Sequence, residues 1–564
     1  MQSRRFRAAS LALLLSLASL RAKEPVQAKH GMVVAQEPIA ADVGLAVLKS
    51  GGNAVDAAVA VGFALAVTHP VAGNIGGGGF MLVRLADGKT AFLDFRECAP
   101  GKASRDMYIG PDRKPTHDSI FGWRSSGVPG SVAGFAIAHE KFGSKAWPEL
   151  LAPAIKLARD GLAVSEPVAA SLRGTHSLQL DPESKRIFLR DGNPYQPGDT
   201  FKQPELASTL ERIAKGGAKG FYQGETARQL AAAMAAHGGL ITAEDLKSYK
   251  VIERNPLEGD YHGFHIITSP PPSAGGVGLL QMMGMLAGTN YESSGPDSPR
   301  AVHYEAEAMR RFYADRSQYL GDPDFYNVPV RQLLDPKYLE WRRGTIDATR
   351  ATPSDIIGPG LPKALDARLS WIESPQTTHF NVVDDKGNAV AVTYTLNNAY
   401  GSGITVPGLG FLLNDEMDDF VAKPGEPNMF GMIGADANAI EPGKRPLSSM
   451  TPTIITKNGR FFMAVGAPGG ARITTGVTEV ILDVLDFHMN VQDAVDLPRF
   501  HEQWKPDVLY LQTGFARETE EALRSMGYDV KPTDGVARVE AIVASNGVLE
   551  GGTESHLHGK VAGY

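Results

Sequence analysis

Thr377-Thr378-His379-Phe380-Asn381-Val382-Val383-Asp384 is the stretch whose reading decides the fold. Thr378, Phe380 and Val382 alternate with His379, Asn381 and Val383, the two-residue period of a strand. A second β-prone run, Ala389 to Leu396 (AVAVTYTL), follows the turn residues Asp384-Asp385-Lys386-Gly387-Asn388. β-branched and aromatic residues on both sides of a glycine-containing turn predict a hairpin. With Asp385, Lys386 and Gly387 as a three-residue loop and Gly387 left-handed, Thr377 faces Thr395 and the two hydroxyls can support each other. A two-residue loop shifts the pairing by one and can set Leu396 there instead.

Upstream of the hairpin, Ile356 to Gln376 (IIGPGLPKALDARLSWIESPQ) carries Pro359, Gly360, Pro362 and Pro375 and reads as a loop-rich connection. The chain as a whole has 564 residues, room for two to four domains or for one large layered domain with insertions. Its 43% apolar and 21% charged residues are those of an ordinary globular protein. A formal charge of -7 without a long basic run argues against a nucleic-acid partner. The single cysteine, Cys98, excludes a disulfide within the chain and a cysteine zinc site. At the N-terminus, Arg4, Arg5 and Arg7 precede the apolar run Ala8 to Leu20, with small residues at Ala18 and Ala22. Residues 1–22 therefore read as an export signal, shorter than the roughly 20 apolar residues that span a bilayer. Arg4-Arg5 also admits a twin-arginine signal. The expected location is periplasmic or extracellular.

Two helices are expected between Pro38 and Pro70: Ile39 to Lys49, ended by Gly51-Gly52, and Ala54 to Val67, capped by Asn53. The run Gly76 to Gly79 lacks the Gly-Lys-Ser/Thr ending of a phosphate loop and reads as backbone packed close to backbone. It leads into a second hairpin, Phe80 to Leu85 and Thr90 to Arg96, turning at Asp87-Gly88. Arg96, at the end of that hairpin, can clamp a substrate carboxylate with its planar fork or, more locally, pair with Asp94 or Glu97. From Gly127 to about residue 350 the pattern is mostly helical, with runs at 147–162, 204–215, 224–237 and 299–320. No metal-ligand spacing is found there, and His556 and His558 read as part of a polar tail.

Beyond the central hairpin, Asn397-Asn398 is followed by Leu412 to Phe420 (LLNDEMDDF), in which Glu416, Asp418 and Asp419 can recognise an ammonium group or a divalent cation. Taken alone, this run reads as a solvated acidic loop. Ser448-Ser449 lies in Pro442 to Pro452, and Gly466 to Arg472 (GAPGGAR) follows the strand Phe461 to Val465. Gly469-Gly470 can present backbone N–H groups to an oxyanion or serve as a strand-to-helix turn.

Together these motifs resemble the gamma-glutamyltransferase (gamma-glutamyltranspeptidase) family. The carriers are TTHFNVVD, Thr395 and Asn397, DDF at 418–420, KRPLSSMTPT at 444–453 and GAPGGAR, with GGNAVDAAVA, NIGGGGFML, LDFRE and GVPGS upstream in the same order. The resemblance implies an α/β (α+β) N-terminal-nucleophile hydrolase, a four-layer αββα sandwich built jointly by two chains after self-cleavage. Residues 23–376 would form the large chain and 377–564 the small one, a heterodimer cut between Gln376 and Thr377. Thr377 would then be the nucleophile and its freed α-amine the base, with an unperturbed pKa of about 7.7 to 8.0. Thr395 would assist it, and the N–H groups of Gly469 and Gly470 would form the oxyanion hole. Arg96, Ser448 and Ser449 would hold the glutamyl α-carboxylate, and Asn397, Glu416 and Asp419 the α-ammonium.

The implied reaction passes the gamma-glutamyl group of glutathione or a similar donor through Thr377 to water, amino acids or peptides, without cofactor or metal. The alternative on the same fold is a glutaryl or cephalosporin acylase, whose substrates lack the α-amino group. A non-catalytic exported binding protein is the reading from a different class, and the intact Thr-Thr-His speaks against it. Three departures stand out, of which Gln376 before the nucleophile says little, because that position tolerates variety. Phe430 occupies the lid-like segment Ala422 to Asp436 where an aromatic hydroxyl is often found, which removes a hydrogen bond that would fasten the lid. The C-terminus keeps Ala-Gly-Tyr without the Asp-Pro-Arg run that often precedes it.

Overall fold

The computed structural model describes residues 24–361 and 377–564. The expected export signal and Gln376 lie outside the described residues.

The central hairpin forms as its sequence period demands, Thr378–Val383 against Ala389–Thr395. Thr378 pairs with Tyr394 and Val382 with Val390, the register of the three-residue loop, and Gly387 turns it at φ 84°. The hairpin is the middle of a seven-stranded antiparallel sheet. In spatial order its strands are Lys560–Gly563, Met32–Ala35, Thr378–Val383, Ala389–Thr395, Gly78–Arg84, Thr90–Phe95 and Ile252–Arg254. A second sheet runs Val26–Ala28, Val548–Thr553, Glu540–Ser545, Arg460–Gly466, Thr453–Lys457, Phe264–Thr268 and Leu257–Tyr261. Each sheet mixes strands from before and after Thr377, so neither half of the chain can complete a sheet alone.

Strand alternation sorts the residues into layers. Phe380, Val382, Val390, Val392 and Tyr394 face outward into a core shared with the helix Ala54–Thr68. Val383, Ala389 and Ala391 face inward, toward Ile455, Met463, Val465 and Ile542 of the second sheet. The helix Ala54–Thr68 is buried on every side, as its all-round apolar sequence requires, and begins with a capping box between Asn53 and Asp56. Helices Gly275–Leu286, Arg472–Leu485 and Val491–Asp496 cover the outer face of the second sheet, and Pro299–Tyr319 packs against the first of them. The result is the expected four-layer αββα sandwich. Burying each large apolar side chain is worth about 1.5–3 kcal/mol, and the two cores hold dozens of them.

The glycine run before Gly78–Arg84 is a packing device. A Cβ on Gly77 would lie 2.0 Å from the carbonyl oxygen of Thr395, so only glycine lets the two backbones meet there. The tail is equally integrated despite its unusual sequence. Lys560–Gly563 pairs along Met32–Ala35, and the Tyr564 carbonyl accepts from the N–H groups of Lys29 and His30 at 3.0 and 2.8 Å.

Three local expectations need correction. The stretch read as mostly helical contains the strands Ile252–Arg254, Leu257–Tyr261 and Phe264–Thr268. They are too short to show a strong period, and their signal was the turn His262-Gly263, left-handed at both residues. The acidic run is not a solvated loop: Glu416–Asp419 is a 3-10 turn with Glu416 and Asp418 buried. His556 belongs to no free tail but stands, exposed, on the wall of a cavity that Thr377 also lines. Among the described residues no helix is long and apolar enough to cross a membrane.

Candidate active site

Thr377 stands just before the first strand of the central hairpin, only 7% exposed. Its hydroxyl donates to that of Thr395 at 3.3 Å, the pairing that the hairpin register sets. The Thr395 hydroxyl in turn accepts the N–H of Asn397 at 2.8 Å. Asn397 is left-handed at φ 80°, a conformation asparagine tolerates, and its side-chain amide donates to the Asp415 carbonyl at 3.1 Å. The second strand thus breaks directly after Thr395 and turns its polar residues into one pocket. His379, two residues beyond Thr377, is no base for it. Burial drives its pKa down to about 3, and its Nδ1 is engaged with the Thr393 hydroxyl at 2.8 Å.

A tight pocket of about 20 Å³ gathers Thr377, Thr395, Asn397, Glu416, Asp419, Ser448, Ser449, Gly470, Phe430 and Arg96. The guanidinium of Arg96 is 1% exposed and hydrogen-bonds both Glu416 and Asp419. The purely local pairing is displaced: the Glu97 carboxylate lies 3.7 Å away, while Asp94 binds Arg254 and Arg445 and accepts only the backbone N–H of Arg96. The divalent-cation reading of the acidic run falls with it, because the cation among these carboxylates is Arg96. Among the described residues no group of three or more His, Cys, Asp and Glu could hold a metal.

One arginine faces three buried carboxyl groups here. Burial works against the Arg96 charge, but Glu416, Asp419 and Glu97 outweigh it and hold the guanidinium above its ordinary value. Burial pushes Glu416 well above the carboxylate range, against the pull of Arg96, and raises Asp419 for the same reason. It carries Glu97 to about 7. Both oxygens of Glu97 and Oε2 of Glu416 lack a hydrogen-bond partner. These oxygens are left as acceptors, and an ammonium group entering the cluster would meet them and favour their charged form.

The loop Gly466 to Arg472 passes the same point. Gly469 and Gly470 have φ of 140° and 56°, which glycine alone adopts freely, and the helix Arg472–Leu485 starts directly after them. Gly470 edges the tight pocket, and Gly469 edges a second, larger cavity of about 620 Å³ that also contains Thr377. Phe430 is 3% exposed and lines both spaces, so its ring separates them at Thr377. Its segment is fastened without a phenol. Met429 N–H donates to Asp418 at 3.0 Å, and the Phe430 carbonyl accepts from Gln503 at 3.5 Å.

This chain matches the gamma-glutamyltranspeptidase family model over residues 40–564. It is 47% identical over 534 residues to the glutathione hydrolase proenzyme of Escherichia coli (strain K12), covering 94% of this chain and 91% of that one. The chain belongs to the gamma-glutamyltranspeptidase family. It is accordingly an enzyme, and its two sheets and flanking helices are the sandwich of that family. Among solved structures, a cephalosporin acylase from Bacillus halodurans superposes with a TM-score of 0.84 at 27% identity, covering 100% of this chain and 99% of that one. Helicobacter pylori gamma-glutamyltranspeptidase gives a TM-score of 0.57 at 44% identity, covering 58% of this chain and 95% of that one.

Supporting residues of this family member escaped the sequence reading. Asn74 donates to the Thr395 carbonyl at 2.9 Å and accepts from Gly77 N–H and the Ser131 hydroxyl at 2.9 and 2.7 Å, fixing the strand end from behind. Asp415, raised well above its usual range by burial, accepts the Asn398 N–H at 2.9 Å. A lone polar residue before GGGG was the only signal for Asn74.

Proposed function

We propose that this chain is a self-processing gamma-glutamyltransferase with glutathione hydrolase activity. The observation that carries the reading is the position of Thr377. It lies between a tight pocket, where Arg96 is opposed to Glu416 and Asp419, and a cavity of about 620 Å³. The charges of the first suit a small zwitterionic acyl donor, whose entry must part Arg96 from its carboxylates and widen the pocket, and the second has room for an amine.

In the precursor the Thr377 hydroxyl attacks the Gln376 carbonyl, the acyl group moves from nitrogen to oxygen, and water cleaves the ester. Large and small chains stay together because each sheet draws strands from both. The freed α-amine, with an unperturbed pKa near 7.7 to 8.0, takes the Thr377 hydroxyl proton at neutral pH. The donor's α-carboxylate binds Arg96 with Ser448 and Ser449, and its α-ammonium binds Glu416, Asp419 and Asn397. This exchanges one set of ion pairs for another, since those carboxylates hold Arg96 itself before the donor arrives. Thr377 attacks the γ-carbonyl, the oxyanion meets the N–H groups of Gly469 and Gly470, and the amine leaves through the larger cavity. Each such donor is worth about 3–4 kcal/mol. Water or an acceptor amine then enters the same way and releases glutamate or a new gamma-glutamyl compound. The basic and apolar start of the chain supports export to the periplasm or exterior.

Intact mass of purified protein tests the first step, with Thr377→Ala as the control. Two chains are expected in the wild type, the smaller being the 188 residues from Thr377 to Tyr564, and one chain in the variant. Free glutamate released from glutathione tests the second. Uncut wild-type protein would overturn the mechanism. The likeness to a cephalosporin acylase favours a second reading, acylase activity, for which hydrolysis of a glutaryl amide faster than glutathione would be the sign.

A further inference from the structure

Arg316, on the helix Pro299–Tyr319, is 5% exposed, and its guanidinium makes no hydrogen bond or ion pair among the described residues. Its Nε is buried without an acceptor. A buried cation left in this state is costly unless an anion meets it. Burial lowers its pKa, with only Tyr313 and Asp419 pulling the other way.

Arg316 opens into a cavity of about 630 Å³ that does not contain Thr377 and shares only Asp419 with the residues assigned to the donor. The acidic groups on its wall are already engaged. Asp418 accepts from the Ser119 hydroxyl and Met429 N–H, Asp419 binds Arg96, and Glu426 lies 3.5 Å from Lys423. Of the other cationic groups on the wall, Lys114 and His117 stand exposed at its rim and Lys423 is the partner of Glu426, so Arg316 is the buried one; most of the remaining surface is apolar, from Leu320, Phe420, Met429, Met432, Ile433 and Leu447. Met432 also lines the donor pocket, so the segment 422–434 has the donor pocket on one side and this cavity on the other.

We propose that this cavity is an effector site for an organic monocarboxylate with an apolar body. The carboxylate takes the fork of Arg316 and the body packs beneath the lid against Met429 and Met432. A planar carboxylate fits a guanidinium through two parallel hydrogen bonds. No nucleophile in use lines the cavity, so the ligand is bound and not turned over. A ligand that bridges the helix and the lid holds residues 422–434 closed over the donor pocket. The site does not depend on the glutamyl reading of the reaction.

The probe is sodium hexanoate, added to the processed wild-type protein and followed by calorimetry and by hydrogen exchange of residues 422–434. One site is expected, with lid exchange slowed several-fold, and 1-hexanol should not bind. Arg316→Met should weaken binding by about tenfold or more, while Arg316→Lys, which keeps the charge and guards against misfolding, should weaken it less. The double variant Ser448→Ala/Ser449→Ala, which alters the donor pocket and leaves the Arg96–Asp419 pair in place, should leave binding intact. Absence of binding to the wild type, binding unaltered by Arg316→Met, or binding lost in the double serine variant would each overturn the assignment, the last by placing hexanoate in the donor pocket.

Discussion

The hydroxyl of Thr377 points at that of Thr395, 3.3 Å away across a hairpin whose register permits no other opposite residue. Thr395 is fixed from three directions, by Asn74, by the N–H of Asn397 and by the backbone of Gly77, so it can orient Thr377 without itself moving. Thr395→Val keeps the shape and removes the hydroxyl. A loss of about 1–2 kcal/mol, roughly tenfold, is expected in both the rate of chain cleavage and kcat. Time-resolved intact mass and glutamate release measure the two.

Arg96 holds down three buried carboxyl groups, and its removal should be felt beyond catalysis. Arg96→Gln takes from Glu416, Asp419 and Glu97 the cation nearest them, and breaking a buried pair costs about 3–5 kcal/mol. A drop in thermal midpoint is expected alongside loss of donor binding. Arg96→Lys should restore much of the stability and little of the activity, because an ammonium lacks the fork.

Glu97 ties stability to pH. Burial raises its folded pKa to about 7, above the unfolded value of about 4.3. The folded state therefore holds a proton that the unfolded state releases first. This contribution is fully present below about pH 4.3 and is lost as pH rises to about 7, on the order of 3 kcal/mol in all. Denaturant titrations across that window should show the wild type losing stability relative to Glu97→Gln as pH rises. Parallel curves would refute the assignment.

Phe430 is a wall between two spaces, so its role is mechanical. Phe430→Ala should join the donor pocket to the larger cavity and raise the donor KM by about tenfold, with a smaller effect on kcat. Phe430→Tyr should leave KM within about twofold, since Asp418 and Gln503 already fasten the lid. Steady-state kinetics with glutathione distinguish the two outcomes.

The central hairpin and the helices around Asn53 were legible because each is decided by neighbours in the chain: alternation, a glycine in a turn, a capping asparagine; the hairpin's register was narrowed to two, of which the structure has the three-residue loop. The order of the motifs, through their family resemblance, also named the pocket residues. The short strands between Ile252 and Thr268 were not legible, since three to five residues are too few for a period to stand out. The state of Glu416 and Asp419 was equally hidden. An acidic run looks solvated until something covers it, and what covers these residues is Arg96, more than 300 positions earlier.

The sequence by itself determined the central hairpin and its glycine turn, because local propensity and spacing act over a few residues, and its family resemblance named the residues able to do the chemistry. Tertiary structure alone decided which charges are buried together. It set Arg96 against three carboxyl groups, made Phe430 a partition and left Arg316 beside a cavity with no hydrogen bond among the described residues. Those outcomes depend on packing two sheets whose strands come from both ends of the chain. Desolvation, which shifts the carboxyl groups and isolates the arginine, exists only once the layers have closed.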